Sequence, residues 1–162
     1  MAAEMKRVQQ LFAMPRYQEE LKAITEAEVS RRFCRHTLEH FLDVARLMYI
    51  RSLEEGSPLD REVIYAAALL HDLGRGMQYR EGTPHQEAGV VLARELLPEC
   101  GFDPEEVRQI VSAIENHRGK DSQEVLARYL YQADKLSRNC FVCPASDECY
   151  WPEEKKNHRI TC

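Results

Sequence analysis

The chain has 162 residues, of which 44% are hydrophobic and 30% are charged, and its formal net charge is −5. This length and apolar content fit one compact domain with a sizeable core. The acidic balance argues against general affinity for nucleic acid or anionic membranes, and no apolar run approaches the roughly 20 residues of a transmembrane helix. The mixed, charged start lacks the apolar core of a signal peptide, so we expect a cytoplasmic protein.

The predicted elements are helices throughout. In chain order, apolar periodicity and capping signals predict helices over residues 17–29, 36–54, 60–72, 85–97, 104–117 and 122–138. Asp60 is a candidate N-cap, and Asp103 before Pro104 has the signature of a helix start. Three glycines between positions 74 and 84 predict a loop. No alternating stretch is long enough to predict a strand, so the predicted fold class is all-α.

A histidine–aspartate pair is the first candidate functional feature. The apolar run from Ile64 to Leu70 ends on His71 and Asp72, where a buried helix is predicted to break. Two such side chains can share one metal ion, or the carboxylate can bridge two. Imidazole and carboxylate together suit iron, manganese, zinc, cobalt or nickel.

The same ligand types recur along the chain, at His36, His40, His85, His117 and Asp134. His36 and His40 are four residues apart, so they are predicted to share one helix face. Asp134 lies among apolar residues, where an unpaired carboxylate would be costly. Any one of these residues could be an ordinary cap or surface group, so the metal-site interpretation depends on the combination.

Five ordered segments carry a resemblance to a known family: HFLDVA at 40–45, AALLHDLGR at 67–75, HQEAG at 85–89, IENH at 114–117 and ADKL at 133–136. In this order they resemble the HD-domain superfamily of metal-dependent phosphohydrolases. The chain is most similar to the small stand-alone HD proteins, including the diadenosine-tetraphosphate hydrolase branch. The resemblance implies an HD-domain helical bundle over residues 1–138, with its core at about 36–138 and a metal site at its centre.

The resemblance also implies the ligands. Its four basic ligands correspond to His40, His71, Asp72 and Asp134. His40 is preferred over His36 because the family's first histidine stands four residues before a Val-Ala pair, here at 44–45. His85 and His117 match the additional histidines of the two-metal branch, in which the aspartate of the pair bridges the ions. The implied cofactor is therefore a divalent transition metal, with two ions expected.

The implied activity is hydrolysis of a phosphate ester by a metal-bound hydroxide, with Asp72 in a catalytic role. Arg75 is a candidate phosphate clamp because guanidinium is planar and always charged, and Lys135 is a further catalytic candidate. The candidates for pocket lining are His36, Arg118 and Arg138. We expect the partner to be a small-molecule phosphate ester, and nucleotides are favoured. Whether the chain forms a homodimer is left open by the sequence.

Neighbouring branches of the family can be partly separated. Alarmone hydrolases typically continue past the pair with a Glu-Asp pair, whereas residues 73–76 here are Leu-Gly-Arg-Gly, and no Gly-Tyr-Pro motif of the cyclic-di-GMP branch is present. Two alternatives stay open: an HD-fold di-iron oxygenase, which shares a similar ligand set, and a non-catalytic nucleotide-binding regulatory protein. The complete ligand set argues against the second.

Residues 139–162 are predicted to form an irregular, cysteine-rich appendage. Its first three cysteines, Cys140, Cys143 and Cys149, have Cys-x2-Cys-x5-Cys spacing. A Cys-x2-Cys turn is half of many tetrahedral zinc sites, so these residues are candidate ligands of a second, structural metal. His158 or Cys162 could supply a fourth ligand; the alternative is reduced thiols packed around Trp151. The tail follows Asp134 closely and could cover the mouth of the site.

Overall fold

The computed structural model describes residues 3–119 and 121–162. These residues form eight α-helices, four short 3-10 helices and no strand, which confirms the all-α prediction. The α-helices are α1 (Lys6–Ala13), α2 (Pro15–Ala27), α3 (Leu38–Glu54), α4 (Arg61–Leu70), α5 (Arg75–Glu81), α6 (His85–Leu96), α7 (Pro104–Asn116) and α8 (Val125–Leu136). None of the helices in the described ranges is both long and apolar enough to cross a membrane.

Helix α4 lies at the centre of the bundle. Its buried residues are Val63, Ile64, Ala66, Ala67, Ala68, Leu69 and Leu70. Asp60 caps the helix by accepting hydrogen bonds from the backbone amides of Glu62 and Val63. A helix that is apolar on nearly all sides must be surrounded, and α4 packs against α1, α3, α6, α7 and α8. The residues that follow Leu70 therefore emerge inside the protein.

The predicted loop over residues 74–84 is wrong, because α5 occupies Arg75–Glu81. Glycine is a weak helix former in isolation, but here packing against α2 overrides that preference. A Cβ atom on Gly76 would lie 2.3 Å from Oε2 of the buried Glu20, so glycine permits the close approach of the two helices. Gly82 ends the helix with a φ of 77°.

Helix α1 also falls outside the predicted helices. Arg7 on this helix joins three parts of the bundle. Its guanidinium donates hydrogen bonds to Asp60 at 3.0 Å, to Glu62 at 3.1 Å and to Glu106 at 2.8 Å. A four-group ionic network of this kind fixes α1 against the starts of α4 and α7.

The C-terminal residues are irregular, as predicted, with three 3-10 helices at Cys140–Val142, Ser146–Glu148 and Glu153–Lys155. The tail is fastened back onto the body. The Asn157 side chain donates hydrogen bonds to the backbone carbonyls of Lys135 and Arg138, both at 2.8 Å, and Glu148 forms an ion pair with Arg32 in the segment between α2 and α3. The tail thus lies across the end of α8.

Candidate metal centre

The structure brings all six residues of the ligand set together at the centre of the bundle. The ligand atoms of one group, His40, His71, Asp72 and Asp134, all lie within 4.8 Å of one another. The same holds for a second group, Asp72, His85 and His117. Asp72 belongs to both groups. The residues come from the ends of five different helices, so the site exists only because these helices converge.

The two carboxylate oxygens of Asp72 face different histidines. Oδ2 lies 3.4 Å from Nε2 of His71. Oδ1 lies 3.4 Å from Nε2 of His85 and 3.6 Å from Nε2 of His117. This carboxylate therefore stands between the two groups of ligands.

Asp134 completes the first group from α8. Its Oδ1 lies 3.3 Å from Nε2 of His40 and 3.6 Å from Nε2 of His71. Its other oxygen, Oδ2, accepts a hydrogen bond from Nζ of Lys135 at 3.0 Å. One oxygen faces the centre while the other is held by a cation, so the carboxylate has a defined orientation.

Backbone carbonyls orient two of the histidines. His71 and His117 are the C-caps of α4 and α7, and Nδ1 of each ring donates to a carbonyl three residues earlier, at Ala68 and Ile114, both at 2.6 Å. A carbonyl can only accept, so Nδ1 carries the proton and Nε2 presents its lone pair. Metal-ligating histidines in proteins are typically held in this way.

Side chains support the other two histidines. Nδ1 of His85 lies 3.1 Å from Oε1 of Gln78 on α5. Nδ1 of His40 lies 3.2 Å from Oγ of Ser137, the C-cap of α8. All four rings thus have a partner at Nδ1 and direct Nε2 toward the centre. Gln78 and Ser137 could not be identified from the sequence, because neither belongs to a motif that resembles the family.

Gly74 sets the spacing between Asp72 and the first turn of α6. A Cβ atom at position 74 would lie 2.2 Å from the carbonyl oxygen of His85 and 2.6 Å from the amide nitrogen of Gly89. Both neighbours are backbone atoms, so neither can move aside without shifting the helix. Only glycine allows the turn after the His-Asp pair to lie directly on α6, which places His85 against the Asp72 carboxylate.

The buried polar atoms of the centre fit a metal ion. Four of them have no hydrogen-bond partner among the described residues: Nε2 of His40, His71 and His85, and Oδ1 of Asp72. Leaving a buried polar atom unsatisfied costs about 1–3 kcal/mol, and native proteins rarely leave several of them together. Imidazole nitrogen and carboxylate oxygen are ligands for a divalent transition metal, and metal binding by the two groups would satisfy these atoms.

The protonation states also suit metal binding. Burial lowers the pKa of His85 to about 3 and that of His40 to about 4, so both rings are neutral near pH 7. Burial acts to raise the pKa of Asp72, but His71, His117 and Arg75 outweigh it and hold that pKa well below its usual value. The carboxylate is therefore ionised.

The pKa values of Asp134 and His71 also result from opposing effects. Burial acts to raise the pKa of Asp134, yet His40 and His71 hold it well below the ordinary value. Burial acts to lower the pKa of His71, but Asp72 and Asp134 raise it overall. Both carboxylates therefore stay ionised inside the protein.

His36 does not share a helix face with His40, and that prediction is wrong. Helix α3 begins at Leu38 with Thr37 as its N-cap, so His36 lies before the helix. Its Nδ1 pairs with Oε2 of Glu28 at 2.6 Å, and its Nε2 lies 3.6 Å from Oδ2 of Asp72. His36 therefore lies beside the centre and joins it to the segment between α2 and α3.

A cavity of about 290 Å³ opens from the centre to the surface. Its cationic lining residues are Arg31, Arg75, Arg118, Lys135 and Arg138, and its aromatic lining residues are Phe33, Tyr150 and Trp151. The predicted lining residues His36, Arg118 and Arg138 all lie in this wall. Nε of Arg75 lies 3.2 Å from Oδ1 of Asp72. This cavity, which we call the mouth, is thus strongly cationic although the whole chain carries a net charge of −5.

A second cavity, of about 340 Å³, lies next to this mouth. Its wall includes His40 and Ser137, and it shares Cys34, Cys149 and Trp151 with the mouth. The three cysteines singled out in the sequence, Cys140, Cys143 and Cys149, all line this second cavity. Neither His158 nor Cys162 lies in its wall; His158 is 3.1 Å from Glu153.

Comparison with known families agrees with this site. Residues 37–139 match the HD domain family, and this range contains all six ligand candidates. The match spans more than half of the chain, so the protein belongs to the HD domain family. HD domains bind divalent metals, and the histidine–aspartate cluster of this chain could hold such an ion.

Several relatives are informative. An uncharacterised protein from Clostridium beijerinckii is 44% identical over 140 residues, which cover 86% of this chain and 88% of that protein. Ribonuclease Y from Thermus thermophilus is 34% identical over 103 residues, which cover 63% of this chain but only 16% of that enzyme. The crystal structure of a predicted HD superfamily hydrolase from an uncultured Thermotogales bacterium matches with a TM-score of 0.62 and 28% identity, over 93% of this chain and 87% of that one. These neighbours support a hydrolase in general; the diadenosine-tetraphosphate branch stays a prediction.

Proposed function

We propose that this protein is a metal-dependent phosphohydrolase that acts on a small phosphate ester, with nucleotides as the favoured substrate class. The observation that carries the proposal is the cationic mouth over the centre. Five cationic side chains surround a cavity of about 290 Å³ in an otherwise acidic protein. A cavity of this size suits a small molecule, and the concentrated positive charge suits a phosphate group.

We further propose that the centre holds two ions, one on each side of Asp72. This carboxylate belongs to both groups of ligand atoms, and its two oxygens face different histidines. When bound, divalent ions here would supply a hydroxide nucleophile near neutral pH and would offset the charge that develops during phosphoryl transfer. A two-ion site therefore needs no nucleophile from the protein.

The side chains of the mouth would bind and orient the substrate. Arg75 is positioned by Asp72, so its guanidinium lies at the boundary between the centre and the cavity. Lys135 lies against Asp134 and also over the rings of Tyr131 and Trp151, at 5.3 and 5.9 Å. Phosphate oxygens would thus meet fixed cations on one side of the centre.

The aromatic residues of the mouth favour a nucleotide among phosphate esters. Phe33, Tyr150 and Trp151 line the same cavity as the cations, and Tyr150 is 80% exposed. Exposed aromatic faces can stack on a base with little sequence preference. A ligand with a phosphate at one end and a planar ring at the other matches this arrangement.

A hydrolysis screen, read by phosphate release and by chromatography of the products, tests the proposal. Purified protein with added manganese, iron, cobalt or nickel is offered nucleotides, dinucleoside polyphosphates, sugar phosphates and, because ribonuclease Y is a relative, a short oligoribonucleotide. We expect phosphate to be released from a nucleotide both in the presence and in the absence of oxygen. The isosteric variant Asp72→Asn should lose this activity, whereas Asp43→Asn, at an exposed carboxylate of α3 paired with Arg46, should retain it. Turnover of the oligoribonucleotide alone, or turnover that requires oxygen, would contradict the proposal.

A further inference from the structure

Four cysteines that are distant in the sequence meet around one cavity. They are Cys34, Cys140, Cys143 and Cys149, and they line the space of about 340 Å³ beside the catalytic mouth. All four are partly buried and form no disulfide. The remaining two cysteines lie elsewhere: Cys100 is buried in the core and Cys162 is exposed at the end of the chain. Cys34 comes from the segment between α2 and α3, so the sequence spacing of the tail cysteines could not reveal it.

Specific contacts hold this segment against the tail. Arg138, at the end of α8, donates a hydrogen bond to the carbonyl of Arg35 at 2.8 Å, and Arg32 forms a two-bond ion pair with Glu148. Asn157 donates a hydrogen bond to the carbonyl of Arg138. Bonds from residues on either side of Cys34 in the sequence thus hold its segment against the end of α8 and the tail.

The cavity has the chemistry of a thiolate metal site. Arg138 and Lys156 line the same cavity and supply positive charge. None of the four cysteines belongs to the buried hydrophobic core, so core packing does not explain their position. Thiolates select zinc, copper(I) and iron–sulfur clusters.

The spacing of the sulfur atoms favours a cluster over a single ion. Tetrahedral zinc with bonds of about 2.3 Å would hold its sulfurs about 3.8 Å apart. Within the described residues, no three cysteine sulfurs lie within 4.8 Å of one another. An iron–sulfur cluster is larger than one ion and is held by four cysteines set farther apart. The cavity leaves room for such a group between them.

We propose that Cys34, Cys140, Cys143 and Cys149 bind an iron–sulfur cluster. The cluster would join the segment between α2 and α3 to the tail. Cys34, Cys149 and Trp151 line both this cavity and the catalytic mouth, so the cluster would also fix one wall of the substrate pocket. This proposal does not depend on the reaction that the metal centre catalyses.

The test is anaerobic purification and reconstitution of the full chain with iron and sulfide. Acid-labile sulfide is the decisive measurement, because iron alone could also bind at the histidine–aspartate centre. We expect equal amounts of iron and acid-labile sulfide in the Asp72→Ala background, together with visible absorption of a cluster. Single serine substitutions at the four cysteines should remove the sulfide, and the matched controls Cys100→Ser and Cys162→Ser should retain it.

Three outcomes would overturn the proposal: no labile sulfide in reconstituted protein; one zinc ion per chain that is lost in Cys34→Ser, without sulfide; or full sulfide content in Cys34→Ser. Alkylation of wild-type protein with iodoacetamide covers the case in which a serine variant does not fold. The four cysteines should be protected in the reconstituted protein and labelled after chelation, whereas exposed Cys162 should be labelled in both. Equal labelling of the four before and after chelation would contradict cluster binding.

Discussion

The histidine–aspartate centre and the cysteine cavity lie side by side but are built differently. His71 and His117 end helices of the core, and backbone carbonyls hold their rings. The cysteines lie on the segment before α3 and on or beside short 3-10 helices, where few buried apolar contacts constrain them. The core thus pre-forms the first site, whereas the second would depend more on the cluster that we propose it binds. Removing metal should therefore affect the two regions unequally.

The largest expected effect comes from Asp72→Ala. Loss of the carboxylate shared by both ligand groups should lower metal content at the centre and reduce activity by more than about 100-fold, since even outer partners of metal ligands cost about 10–100-fold. Helical content by circular dichroism should remain close to that of the wild type, because α4 is held by its apolar residues. Unchanged metal content by elemental analysis would refute the assignment of Asp72 as a ligand.

The two histidines of the second ligand group, His85 and His117, can be substituted without changing the first group. We expect His85→Ala and His117→Ala each to lose one of two metal ions, because both rings face Oδ1 of Asp72 while His71 faces Oδ2. The matched control is His158→Ala, an exposed histidine of the tail. Elemental analysis after dialysis measures the occupancy. Two full equivalents in either variant would rule out the two-ion arrangement.

A smaller effect is expected for the phosphate clamp. Hydrogen bonds to charged groups contribute about 1.5–3 kcal/mol, so Arg75→Ala should lower kcat/KM about 10- to 100-fold while metal content stays near that of the wild type. Arg108→Ala, at an exposed arginine of α7 paired with Glu105, is the control. Steady-state kinetics on the substrate found in the screen decide the point. Wild-type kinetics in Arg75→Ala would remove the clamp from the proposal.

Cluster removal should affect the tail more than the helices. Trp151 is the only tryptophan of the chain and lies in the wall shared by the cysteine cavity and the mouth, so its fluorescence reports on the tail rather than on the helices. Chelation under reducing conditions should change its emission and speed tryptic cleavage near Lys155, while circular dichroism changes little. Cys34→Ser should show the altered emission without chelation, unlike Cys162→Ser. Equal changes in the circular dichroism of the helices and in the emission of Trp151 would contradict a difference between the two regions.

The smallest effect concerns the segment that joins the regions. Glu28 is buried, yet hydrogen bonds from His36 and Tyr79 lower its pKa to about 2 from 4.5. A lowered pKa stabilises the fold above pH 4.5, and that stability is lost as the pH falls toward 2. Glu28→Gln should therefore be less stable at pH 7, by about 1–3 kcal/mol, with a flatter loss of stability between pH 5 and 2. Urea unfolding of both proteins across this pH range measures their stability. Parallel curves of stability against pH for the two proteins would contradict the lowered pKa of Glu28.

Much of the body could be predicted from local signals. Asp60 and Asp103 cap α4 and α7 as predicted, and Asp103 forms a complete capping box with Glu106. These predictions succeed because a cap and an apolar periodicity act within a few residues. The loop predicted around Gly76 is wrong because the determining contact, with Glu20 of α2, lies far away in the sequence.

The sequence by itself determined the helical class, the helix starts and the ordered set of ligand types, since each depends on neighbouring residues or on motifs in fixed order. Only the tertiary structure decided how they meet. It placed Asp72 between two groups of histidines, put Gln78 and Ser137 behind the rings, and brought Cys34 to the tail cysteines. Such contacts join distant residues, and helix packing rather than local preference sets their distances.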